Sequence, residues 1–193
     1  MGLRLGPLTL PWPAGRPSDD PYWDFFLNAP PGDLRNSVTD MVRETPEGAV
    51  NPAKEEIHTP EINASHVKEL ARFLGADLVG IARLSAEGAD HGEGYPFGVV
   101  AVVRAEHDPR EAPGIGGQVP VQNGQYVTFV LSAYIRELGY RATAKLAADG
   151  ERLAAAAGLG TLDGQGRLVT PRYGPRVHVA DVIHTDLPLA PDG

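Results

Sequence analysis

The stretch Phe97–Arg104, FGVVAVVR, limits the fold of this chain more than any other part of the sequence. Phe97, Val99, Val100, Ala101, Val102 and Val103 follow one another almost without a polar break. A strand with one face in water alternates apolar and polar residues. A continuous apolar run reads instead as a central strand covered on both faces.

The neighbouring periodicity supplies its partners. Ser65 can cap a helix in which Val67, Leu70, Ala71 and Leu74 recur at helical spacing, with Gly75 as its stop. Residues 77–84 (DLVGIARL) read as a strand. Residues 105–121, with Gly114, Gly116 and Gly117, read as a loop. An amphipathic helix is expected over about 124–138, its buried stripe made of Tyr126, Phe129, Val130, Ala133, Tyr134 and Leu138, with Gly139 as cap. A short strand within 140–145 and a small helix over 151–157 follow. Mixed helices and strands in this order indicate an α+β domain.

From Ala154 to Gly193 glycines and prolines punctuate the chain, fixing backbone direction at several points. Bends around Gly160 and 164–166 lead to a short strand at Leu168, Val169 and Thr170. After Pro171, Tyr173, Gly174 and Pro175, an alternating strand is expected over 176–184. Period two then puts Arg176, His178, Ala180, Val182 and His184 on one face, and Val177, Val179, Asp181 and Ile183 on the other. The Val177 side reads as core; the Arg176/His178 side faces solvent or lines a site.

Ahead of this body, 61–193, residues 1–60 form a proline-rich arm carrying Trp12, Tyr22, Trp23, Phe25 and Phe26. Aromatics bury large areas, so the arm is expected to pack on the body or on a second copy of the chain. Within it, 33–44 reads as a helix with Leu34, Val38, Met41 and Val42 along one side.

Charge and composition remove several kinds of chemistry. A net charge of −8 with no basic cluster argues against nucleic acid or anionic membrane as partner. The absence of cysteine removes disulfides, thiolate zinc, cysteine-held iron–sulfur clusters and cysteine nucleophiles. The six histidines include no i, i+4 pair, so no histidine-built metal site is expected. No apolar run approaches the ~20 residues that span a bilayer, and the N-terminus is too broken by proline for a signal sequence. These features lead to an expectation of a cytoplasmic protein.

Three stretches together resemble a known family: HVKELARFLGADLVGIARL (66–84), YVTFVLSAYIRELGYRAT (126–143) and AGLGTLDGQGRLVTPRYGPRVHVADVIHTDLPLAPD (157–192). They look like the cobalamin-binding core of reductive dehalogenases and, more distantly, of epoxyqueuosine reductases. The resemblance implies a nitroreductase-like α+β fold, an antiparallel sheet with flanking helices holding a base-off corrinoid. It also implies cobalt-centred reduction fed by two iron–sulfur clusters carried in a cysteine-rich region. With no cysteine here, no cluster is expected on this chain, and electrons are expected from a separate donor protein.

On that resemblance the cofactor-binding residues are Gly158, Gly160, Thr170, Tyr173, Gly174, Arg176, His178 and Thr185. Glycines let backbone approach a ring closely. The threonine hydroxyls can meet corrin amides, and Arg176 can pair with the nucleotide-loop phosphate. His178 can approach cobalt, although the family implies no protein ligand there. Tyr173 also reads as packing beside Gly174. Tyr126 is the candidate proton donor. Three functions follow: a corrinoid-binding reductase subunit or corrinoid-handling protein, an FMN-dependent reductase of the same fold, and a non-catalytic relative that binds a protein partner. A homodimer that exchanges its arms is expected.

Overall fold

The computed structural model describes residues 4–5, 8–9, 39, 41–55, 58–84, 94–106 and 115–192. The arm aromatics Trp12, Tyr22, Trp23, Phe25 and Phe26, and Leu34 and Val38 of the expected first helix, lie outside the described residues. Two-residue strands β1 (Arg4–Leu5) and β2 (Leu8–Thr9) pair antiparallel. Of the helix expected over 33–44, Met41–Glu44 (α1) is described as helical.

The body is built from α2 (Pro60–Phe73), β3 (Leu78–Arg83), β4 (Phe97–Arg104), α3 (Ile115–Glu137), β5 (Ala142–Thr143), α4 (Gly150–Ala156), β6 (Thr161–Leu162), β7 (Leu168–Val169), β8 (Val177–Val179) and β9 (Ile183–Thr185). The main sheet runs β3-β4-β9-β5, with β8 also on β4, and all its pairings are antiparallel. As its sequence requires, β4 is buried from Phe97 to Val103. One face packs Val99 and Ala101 against Val67 and Ala71 of α2 and Val127, Leu131 and Ile135 of α3. The other packs Val100 and Val102 against Leu153 and Ala154 of α4, with Leu168 and Val177. Thus the chain has an α+β fold of helices on an antiparallel sheet. Among the described residues no helix is long and apolar enough to cross a membrane.

Four local expectations are corrected. Helix α2 starts earlier than Ser65: the Thr59 hydroxyl accepts from Ile62 N and Pro60 occupies the first turn, where its fixed φ suits a helix. Helix α3 also starts earlier, at Ile115. Gly117 and Pro120, read as loop residues, are buried in its first turns, so packing overrides weak propensity.

The face of α3 is turned as well. Tyr126, Phe129 and Tyr134 are exposed, and the deeply buried line is Val127, Leu131 and Ile135. Apolar residues occur on both sides of this helix, and the sheet takes the aliphatic line over the one whose tyrosines carry polar ends.

The strand expected over 176–184 is divided. β8 places Val179 opposite Val102, whereas β9 places Ile183 opposite Val99. Residues 180–182 therefore stand opposite only Val100 and Ala101, which is a β-bulge of one extra residue. The bulge reverses the parity. His178 lies on the α3 face, against Gly124, and His184 lies on the opposite face, opposite Gly98 in the ladder. His184 is fully buried, with the Tyr95 ring edge-on at 6.4 Å.

Candidate functional site

Helix α3 carries a second stripe that period counting passed over. Gln125, Thr128, Ser132 and Arg136 follow each other at intervals of three and four residues, and each is buried. They line a cleft of about 340 Å³ together with Val42, Arg43, Thr45, Glu47, Phe129, Ala144, Lys145 and Asp181. Polar side chains in a buried stripe need partners, and most of these are backbone groups. Thr128 Oγ1 donates to Asp181 O at 3.2 Å, and Ser132 Oγ donates to Phe129 O at 3.0 Å. Arg136 donates to Ala142 O at 2.8 Å.

The outer wall is the segment around α1. Arg43 forms a bidentate pair with Asp181, Nε to Oδ2 at 3.1 Å and a terminal nitrogen to Oδ1 at 3.2 Å. The Gln125 amide, oriented with its oxygen toward Arg43 Nε (2.7 Å), donates to Thr39 O at 2.9 Å. Glu47 accepts from Ala144 N at 3.2 Å. Further along, Asn51 N and Glu55 N donate to Arg136 O and Leu138 O, two carbonyls at the C-terminal end of α3 that no helical turn follows. The bulge has a use here. Its extra residue lets Asp181 leave the alternation of the sheet and present its carboxylate to Arg43.

The residues named from sequence lie elsewhere. Tyr126 is 56% exposed on α3 and is not part of the cleft lining. Gly160 sits where a Cβ would collide with the Val169 carbonyl, so its missing side chain accommodates the β6–β7 hairpin. Thr170 is buried; its hydroxyl accepts from Tyr173 N at 3.0 Å and donates to Gly174 O at 3.3 Å, closing the turn 170–174. Thr185 Oγ1 donates to Arg141 O at 2.8 Å and accepts from Leu187 N at 3.0 Å. These groups are committed within the chain.

Gly158, Tyr173, Gly174 and Arg176 differ from them. A Cβ at Gly158 or Gly174 would meet nothing within 4 Å, Arg176 is exposed, and Tyr173 is half-buried beside the α4 face of the sheet. His178 is partly buried on the α3 side, away from that group. Tyr173 thus packs on the α4 side of the sheet, whereas His178 packs on the α3 side and Tyr126 is exposed on α3 itself.

Two titrating groups mark these regions. Asp163, in the bend between β6 and β7, is held below its ordinary pKa chiefly by the Arg167 backbone N–H, with the Arg167 guanidinium at 2.7 Å adding to it against desolvation. Tyr140, after α3, is raised by burial and then by the Asp186 charge. Among the described residues no group of three or more histidine or acidic side chains is placed to hold a metal ion.

No family model and no curated protein matches the chain. Solved structures do. The catabolic reductive dehalogenase NpRdhA superposes with a TM-score of 0.63 at 26% identity, covering 82% of this chain and 26% of that one. A reductive dehalogenase structure described as suggesting a mechanism for B12-dependent dehalogenation superposes with a TM-score of 0.64 at 25% identity, covering 80% of this chain and 26% of that one. NpRdhA with bound 3-bromo-4-hydroxybenzoic acid gives a TM-score of 0.63 at 26% identity. The chain therefore spans about a quarter of the length of the dehalogenases it resembles, and across that span it has a reductive-dehalogenase-like α+β fold.

Proposed function

We propose that this chain is a corrinoid-handling module of a reductive-dehalogenase-type system, working with a separate protein that donates electrons. The observation that carries the reading is the likeness to B12-dependent dehalogenases over about four fifths of the chain. These 193 residues contain no cysteine to hold a thiolate-bound cluster, and a separate donor protein is our proposed source of reducing equivalents. The corrinoid would supply the cobalt-centred redox chemistry.

The residues fit that group in part. Gly158 and Gly174 have open space beside them, and the exposed Arg176 can reach a phosphate through charge-assisted bonds, with half-buried Tyr173 in the same segment. Gly160, Thr170 and Thr185 hold the fold and offer the ligand little. Tyr126, exposed on α3, remains a proposed proton donor only where a substrate is brought to that face by a partner.

The test is a titration of the purified chain with hydroxocobalamin, followed by absorption, with FMN titrated separately. A saturable shift to the base-off spectrum supports the reading. Saturable FMN binding in its place moves the chain to the flavin reductases. A second reading, a non-catalytic relative that docks on a protein partner or on its own copy, is favoured by one observation: Tyr126, Phe129 and Tyr134 expose aromatic surface along α3. Failure to bind either ligand, together with a dimer in sedimentation, selects it.

A further inference from the structure

The cleft against α3 carries an excess of positive charge in a chain whose net charge is −8. Its lining sets Arg43, Arg136 and Lys145 against Glu47 and Asp181. Arg43 and Asp181 neutralise each other in their bidentate pair. Among the described lining residues, Arg136 and Lys145 are left facing Glu47.

Arg136 is the unusual member. Its side chain is only 6% exposed, yet among the described residues its one hydrogen bond goes to the Ala142 carbonyl. The Glu47 carboxylate stands 3.9 Å away, beyond hydrogen-bond distance, and is engaged with Ala144 N. A guanidinium offers five N–H donors in a planar fork that matches a carboxylate. The long ion pair with Glu47 supplies counter-charge without hydrogen-bonding the fork, and a second anion at closer range would meet those donors directly.

We propose that this cleft binds a small organic monocarboxylate, its carboxylate on Arg136 and its apolar body against Phe129 and Val42. A monoanion balances the single excess positive charge of the described lining, whereas a phosphate dianion exceeds it. The Thr128 and Ser132 hydroxyls spend their protons on Asp181 O and Phe129 O, so they present lone pairs and add no further anion-binding donors. A volume of about 340 Å³ stands at the small end of ligand pockets and admits a short acid, not a corrinoid. None of the residues assigned to the corrinoid lines this cleft, so the site stands independently of that reading.

Calorimetric titration of the full chain with hexanoate tests it, using inorganic phosphate as competitor. Hexanoate is expected to bind saturably with a Kd on the order of 1 mM, as suits a small ligand. Glu47→Gln, which removes the competing carboxylate, is expected to tighten binding about threefold or more. Arg136→Lys is expected to weaken it about tenfold, and Phe129→Ala about threefold. If Arg136→Lys does not fold, the Glu47→Gln and Phe129→Ala arms decide. The proposal is overturned if hexanoate shows no saturable binding to the folded wild-type chain. It is equally overturned if Glu47→Gln and Phe129→Ala leave the affinity unchanged, or if phosphate displaces hexanoate at equal or lower concentration.

Discussion

The glycine-rich segment 158–176 and the polar stripe of α3 face the two sides of one sheet and use polar groups in opposite ways. In the segment, the groups that look most like ligand contacts are spent on the backbone: the Thr170 hydroxyl closes its own turn, and Gly160 gives way to the Val169 carbonyl. In the stripe, side chains that read as ordinary helix residues are buried around open space, with Arg136 meeting only Ala142 O and a distant Glu47 among the described residues. A motif that attracts attention in sequence can therefore be architecture. A site can lie in residues whose only signal is polar character repeated at helical spacing.

Mutations in the two regions sharpen that contrast. The largest loss belongs to Leu168→Ala, since Leu168 is fully buried against α4 and the sheet; about 2–5 kcal/mol in denaturant melts is expected. Gly160→Ala comes next, at about 1–3 kcal/mol, because backbone must move to admit a methyl group. Gly164→Ala, with open space at the same kind of bend, stays within about 0.5 kcal/mol. If both glycine variants behave alike, Gly160 is not held by the hairpin and its assignment to architecture fails. Thr170→Val is expected to cost about 1–2 kcal/mol through the lost turn contacts.

The smallest effect concerns pH. Asp163 has a folded pKa below its unfolded value, so its contribution is present above the unfolded pKa and is lost as pH falls through the folded one. The melting temperatures of wild type and Asp163→Asn should keep a constant gap above about pH 5 and converge in stronger acid. A gap that widens on acidification contradicts the pairing with Arg167.

Much of the fold was legible in the sequence. The apolar run of β4 announced a strand covered on both faces, and Gly75 and Gly139, both at positive φ, end their helices as their positions suggested. Two features escaped for physical reasons. Alternation over 176–184 assumes an unbroken strand, and the bulge at 180–182 inserts one residue that no periodicity registers, which sent His178 and His184 to opposite faces. On α3, exposed tyrosines and buried aliphatics give two apolar lines of similar strength. The choice between them is made by the sheet, against which Val127, Leu131 and Ile135 pack. The polar line at 125, 128, 132 and 136 was visible in the sequence, and its regular spacing was the clue that would have found the cleft.

The most direct measurement is a hydroxocobalamin titration run side by side on the wild type, Arg176→Gln and Arg136→Gln. With the corrinoid at the glycine-rich edge and the cleft a separate site, the wild type turns base-off with saturation, Arg176→Gln weakens binding about tenfold, and folded Arg136→Gln binds as the wild type does. Absence of any saturable spectral change in the wild type, or a loss confined to Arg136→Gln, would contradict that placement.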